Sequence, residues 1–145
     1  MAGGGDEADI IKQAKKENVL EMIHFDGTIP ASEMSTFYDN IDVYICSSMA
    51  EGLCRSVVEA MGRGCGVICT RVCGNVELAD KEFLYEKKDF GTLAKLMKKM
   101  MDRKVLSEQM LLSLSKSKNY EKNVLDTKRD EFYLDAINSI LSSLN

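Results

Sequence analysis

The segment from Ile41 to Gly62, IDVYICSSMAEGLCRSVVEAMG, decides the fold. Its opening run, Ile41 to Cys46, is apolar apart from Asp42, the pattern of a strand covered on both faces. Small polar residues follow, then Glu51-Gly52 as a turn, then a predicted helix over Leu53 to Gly62. At about 100° per residue, Val57, Val58 and Met61 share one side of that helix, and Arg55, Glu59 and Arg63 fall on the other. Strand, polar loop and helix N-terminus form the layout in which unpaired amides face an anion at a parallel sheet. Glu51 and Glu59 enclose seven residues, so one lies in the loop and the other about two turns into the helix.

Outward from this segment, the same alternation continues. Gly64 is placed to end the helix, and Gly66 to Thr70 reads as the next strand. Val72 to Asp80 holds a glycine turn and at most a short helix, and Phe83-Leu84-Tyr85 reads as a further strand. Upstream, Asp6 to Asn18 suits a short amphipathic helix. Met22-Ile23-His24-Phe25 reads as a strand ended by Asp26-Gly27. A helix is expected to begin at Pro30, with Met34, Phe37 and Tyr38 at helical spacing. The fold class is therefore α/β: a parallel sheet of about four strands with flanking helices. Right-handed crossovers would bring the loops Gly27 to Ile29, Ser47 to Leu53 and Arg71 to Asn75 to one carboxyl edge, where open α/β sheets bind ligands.

Beyond the last strand the period is helical only. Asp89 is a candidate N-cap for a stripe of Phe90, Leu93, Ala94, Met97, Met100 and Met101. Leu106, Met110, Leu111 and Leu114 form a second stripe, and Tyr133, Ile137, Ile140 and Leu144 a last one. The polar run Ser113 to Lys122 reads as a bend between them. These stripes are expected to pack into the core.

Composition narrows the function. At 145 residues and 45% hydrophobic content, the chain suits one domain with a core. A net charge of -4 argues against a general nucleic-acid binder. The five cysteines, Cys46, Cys54, Cys65, Cys69 and Cys73, form no CxxC pair and are expected as reduced thiols, four of them in or beside apolar runs. His24 is the only histidine and reads as a strand flank. Neither a P-loop nor a cluster of metal ligands is visible. The start, MAGGGDEAD, is unlike a signal peptide, and the apolar runs are short of a membrane span. The expected location is the cytoplasm, compatible with attachment at the inner membrane face.

The ordered blocks Ser48-x-x-Glu51-Gly52-Leu53, Glu59-Ala60-Met61, Gly64, Val67-Ile68-Cys69-Thr70 and Gly74-Asn75-Val76-Glu77 resemble the donor-site motif of retaining GT-B glycosyltransferases, the glycosyl transferases group 1 family. The resemblance covers residues 3–101 and fades into the helical tail at 102–145, so the chain reads as a single partial domain, the donor-binding part of such an enzyme. It implies a nucleotide-diphosphate sugar as donor substrate, a sugar or lipid acceptor of unknown identity, and no cofactor or catalytic metal. Glu51 would accept hydrogen bonds from the donor sugar, a role suited to a carboxylate, which offers only acceptors. Gly52, Leu53, Cys54 and Arg55 would present helix amides to the donor phosphate and sugar. Glu59 would face the ribose. Gly74 and Asn75 would lie near the sugar or its phosphate, and Gly27, Thr28 and Ile29 would border the base.

Each of these residues also has a plainer reading. Glu51 could cap the following helix, Glu59 could pair with Arg55 or Arg63, and Asn75 could cap a helix start. Three positions depart from the family pattern: Cys54 and Cys73 stand where Gly is common, and Gly66 replaces a common Pro, at a cost in loop stiffness. A thiol at a helix N-terminus, as Cys54 would be, is expected to have a lowered pKa. The departures support an alternative reading, a non-catalytic Rossmann-like nucleotide- or protein-binding module. A receiver-like or flavodoxin-like domain ranks last, because the acidic cluster it needs at an N-terminal strand end is absent. The resemblance also implies two further strands and an acceptor domain upstream, here missing. The chain alone is then expected to be inactive and to self-associate over exposed strand edges.

Overall fold

A computed structural model describes residues 2–143, so Leu144 of the last stripe lies outside the described residues. The chain divides into two compact units, residues 1–37 and 38–145. The first holds α1 (Ala8–Lys16) and a 3-10 turn at Leu20–Met22. The strand expected at Met22 to Phe25 is not formed. Met22 ends the 3-10 turn and is 84% exposed, and Ile23 is extended but carries no strand. An apolar run becomes a strand only where a neighbour completes its ladder. The sheet-type pairing described in this unit is one parallel bridge, Ala2 to Gly27, closed by Gly3 N–H donating to Gly27 O at 2.8 Å. Gly27 has φ 64°, so the turn uses glycine's left-handed freedom. Pro30 opens a turn rather than a helix, with Glu33 N–H on its carbonyl, and α2 (Met34–Asp39) begins later.

The second unit carries the sheet. β1 (Val43–Cys46), β2 (Gly66–Thr70) and β3 (Leu84–Tyr85) run parallel in the order β1-β2-β3, three strands where about four are expected. Cys46 pairs with Cys69 in register, and Thr70 with Tyr85. Every residue of β2 is buried, as a central strand with helices on both faces requires. The side chains alternate between two cores. On one face Cys46, Val67, Cys69 and Leu84 pack with Val57 and Met61 of α3 (Arg55–Gly62) and with Leu78 of α4 (Cys73–Leu78). On the other, Ile68 and Tyr85 pack with Phe83 and with Met100 of α5 (Phe90–Met100), flanked by Val105 and Leu106 of α6 (Arg103–Ser117). Gly66 is a strand residue, not a loop residue. Its N–H donates to Asp42 O at 2.9 Å, and an added Cβ would touch Leu106 and Met100 at 3.4 Å. Proline would remove that donor.

The helical tail departs from expectation in two ways. The bend is only a 3-10 turn at Lys118–Tyr120, because Ser113 and Ser117 continue α6 as buried residues on its packed face. Ser117 Oγ donates to Leu114 O at 2.8 Å, which satisfies the hydroxyl inside the helix. Second, the stripes are only partly core. Leu93, Leu96 and Met100 face the sheet, whereas Phe90, Met97, Met101, Leu111 and Leu114 are exposed. On α7 (Lys122–Ser143) no residue is buried, and Phe132, Tyr133, Leu134, Ile137, Ile140 and Leu141 are all more than half exposed. No helix among the described residues is long and apolar enough to cross a membrane.

Candidate functional site

The carboxyl ends of β1 and β2 are tied together by short polar contacts. Thr70 Oγ1 donates to the Ser48 carbonyl at 2.6 Å, which fixes the start of the loop after β1 to the end of β2. Asn75, in the first turn of α4, is fully buried. Its Nδ2 donates to Thr70 O at 3.1 Å and lies 3.8 Å from Cys46 Sγ. Gly74 stands against the other end of the same loop: an added Cβ would overlap the Gly52 carbonyl oxygen and sit 3.1 Å from Leu53 Cα. Gly52, Leu53, Gly74 and Asn75 are therefore brought to one rim. The Asn75 side chain, however, is spent on the rim's own framework. Its Oδ1 is a buried acceptor with no partner among the described residues.

The N-cap of α3 is Cys54, whose side chain makes no capping hydrogen bond. Glu51 thus does not serve as the cap. Val57 and Val58 N–H reach the Cys54 carbonyl, and the amides ahead of them open the helix on the rim. Arg55 and Gly52 are exposed there, and Leu53 is 45% exposed. The Cys54 side chain itself faces inward. Burial pushes its thiol up rather than down and nearby Cys46 adds to this, while Ser56 and the Val57 amide pull the other way. Desolvation of a thiolate outweighs the helix N-terminus here, which overturns the expected lowered pKa. Cys46, Cys65 and Cys69 are also buried, whereas Cys73 is exposed.

Glu59 is exposed on α3 and accepts from the Tyr38 hydroxyl at 3.3 Å. Its alternative partner Arg63 is engaged elsewhere: Arg63 Nε donates to Asp39 Oδ1 at 2.7 Å. Burial, then the Glu59 carboxylate, push the Tyr38 hydroxyl well above its ordinary range. Glu51 is half-buried, and its carboxylate lies with Cys46 Sγ and Cys54 Sγ, all three ligand atoms within 4.8 Å of one another. The sequence shows no familiar metal-ligand cluster, and it does not reveal Cys46 and Thr70 as members of the rim or Tyr38 as the partner of Glu59. The only signal was Cys46-x4-Glu51-x2-Cys54, which matches no familiar ligand spacing. Gly27, Thr28 and Ile29 belong to the first unit, where Thr28 Oγ1 lies close to Gly4: an added Cβ on that glycine would be 3.0 Å away.

Comparison with known proteins shows the family and the fold. The family model described as glycosyl transferases group 1 matches residues 1–123. Protein CapJ of Staphylococcus aureus is 33% identical over 131 residues, covering 90% of this chain and 30% of CapJ. The capsular polysaccharide biosynthesis glycosyltransferase CapM of the same organism is 27% identical over 106 residues, 71% of this chain and 26% of CapM. The chain thus spans less than a third of these relatives. Among solved structures, sucrose-phosphate synthase from Thermosynechococcus elongatus superimposes with a TM-score of 0.79 at 17% identity, covering 95% of this chain and 38% of that one. Anabaena HepE in complex with UDP and glucose gives 0.68 at 18% identity, covering 89% and 39%. These likenesses bear out the α/β fold expected of a GT-B glycosyltransferase domain.

Proposed function

The chain belongs to the glycosyl transferases group 1 family, and on that premise we propose that it is the donor-binding part of a retaining glycosyltransferase that moves a hexose from a nucleotide sugar to a sugar or lipid acceptor. The observation that carries this reading is the rim itself. The loop residue Gly52 meets Gly74, in the first turn of α4, beside a helix N-terminus without a side-chain cap, a place suited to holding a diphosphate by backbone donors. Glu51 accepts from sugar hydroxyls and Glu59 from the ribose. Leaving-group charge is met by the amides of Gly52 to Arg55, an electrostatic role. The name of CapM, a capsular polysaccharide biosynthesis glycosyltransferase, supports a setting in polysaccharide assembly; the location in this reading is the cytoplasm, at the inner membrane face. The chain covers 30% of CapJ, and in this reading it does not transfer sugar by itself.

The test is a titration of the full chain with UDP, GDP and their glucose derivatives, followed by amide NMR. The expected result is saturable shifts at Gly52 to Arg55 and at Gly74, lost in Glu51→Ala and Glu59→Ala variants that remain folded. Shifts absent from those amides, or unchanged in both variants, would overturn the reading in favour of a module without this site. Sugar transfer or donor hydrolysis by the chain alone would overturn the inactivity.

A further inference from the structure

Two thiols meet under the loop after β1. Cys46 Sγ and Cys54 Sγ lie 3.7 Å apart, both side chains buried, and the Glu51 carboxylate closes a triangle whose ligand atoms all lie within 4.8 Å of one another. We propose that Cys46, Glu51 and Cys54 form a binding site for a thiophilic divalent cation, Zn2+ above all.

The spacing suits the ion. Two thiolates about 2.3 Å from a tetrahedral zinc are about 3.8 Å apart, so the sulfurs need almost no rearrangement. A disulfide would require them to close to about 2.0 Å. Glu51 is the only ligand that must move, and it is half-buried in a loop between the two cysteines. Each sulfur also has polar support of the kind that orients metal ligands. Asn75 Nδ2 lies 3.8 Å and Ser48 Oγ 3.5 Å from Cys46 Sγ, and Ser56 Oγ lies 3.2 Å from Cys54 Sγ. With the ion bound, all three groups can donate to thiolate sulfur. Two sulfurs and one carboxylate select zinc over magnesium, calcium or manganese, which favour all-oxygen shells. Binding converts two thiols to thiolates, so one Zn2+ enters as two protons leave. The three protein ligands leave a fourth position for water or another small donor.

The experiment titrates the full chain, kept reduced, with Co2+ and then with Zn2+. Expected is one Co2+ per chain with a sulfur-to-cobalt charge-transfer band, erased by one equivalent of Zn2+. Mg2+ in excess does not erase it. Cys46→Ser and Cys54→Ala abolish the band, Glu51→Gln weakens binding by about tenfold or more, and Cys65→Ser and Cys73→Ser leave it intact. Absence of the band in the unsubstituted chain overturns the proposal whatever the variants do. So does a band that survives Cys46→Ser or disappears equally in Cys73→Ser. No nucleotide sugar is present, so failure here is separate from failure of the donor-binding reading.

Discussion

Gly74 and Gly52 are in backbone contact: the position a Cβ would take on Gly74 is already held by the Gly52 carbonyl oxygen, with the Gly52 carbonyl carbon 2.6 Å away. The relation is one-sided, since a Cβ on Gly52 meets nothing within 4 Å. Gly74→Ala must therefore push two backbones apart, whereas Gly52→Ala fits.

The first prediction follows directly. Gly74→Ala lowers stability by about 1–3 kcal/mol, the usual cost of overpacking. Gly52→Ala stays within about 0.5 kcal/mol of the parent, as surface changes do. Chemical denaturation of both variants checks this, and equal midpoints would refute the contact. If the rim binds the donor as proposed, Gly52→Ala still weakens UDP-sugar binding by narrowing the approach to the helix amides.

Met61 is fully buried between α3 and the sheet. Met61→Ala is expected to cost about 2–5 kcal/mol, the range for a large side chain deleted from a packed core. Met101→Ala, at a position 81% exposed, should change the denaturation midpoint little. A reversed order would mean that the tail, not α3, anchors this core.

Asp39 provides a pH test. The Arg63 guanidinium hydrogen-bonded to it holds its carboxyl below the usual aspartate range. A depressed folded-state value means that the pair stabilises the fold above the unfolded pKa. That contribution is lost as pH falls through the lower, folded value. The pair is solvent-exposed, so the effect on stability is small. Carboxyl-carbon NMR should place the Asp39 titration below that of a free aspartate, and Arg63→Gln should return it to the ordinary range. A midpoint unmoved by that substitution would remove the ion pair from the account.

The exposed apolar residues of α7, together with β1 having only β2 as a paired strand among the described residues, predict self-association. Sedimentation should show an average mass that rises with concentration, and Ile137→Lys with Leu141→Lys should shift it toward the monomer. A well-folded monomer at all concentrations would contradict this.

Much of the second unit was legible because its signals are local. Gly66 to Thr70 was bounded to the residue, and the face of α3 carrying Val57 and Met61 followed from its period. Asp89 does cap α5, accepting from Thr92 N–H at 3.0 Å. What failed depended on partners distant in sequence. Met22 to Phe25 has the composition of a strand, but composition does not supply a ladder. Phe90, Met97 and Ile137 repeat at helical spacing, but period says which face is apolar and not whether anything covers it. Cys54 was placed correctly at a helix start, yet its thiol turns toward Cys46, and only the three-dimensional turn reveals that burial governs its acidity.

The hydrogen bond from Thr70 to the Ser48 carbonyl and the close seat of Gly74 on Gly52 clamp the first loop at both ends to the strand and helix beside it. With both ends tethered, movement of this loop over a ligand is expected to carry the ends of β1 and β2 and the start of α4 with it.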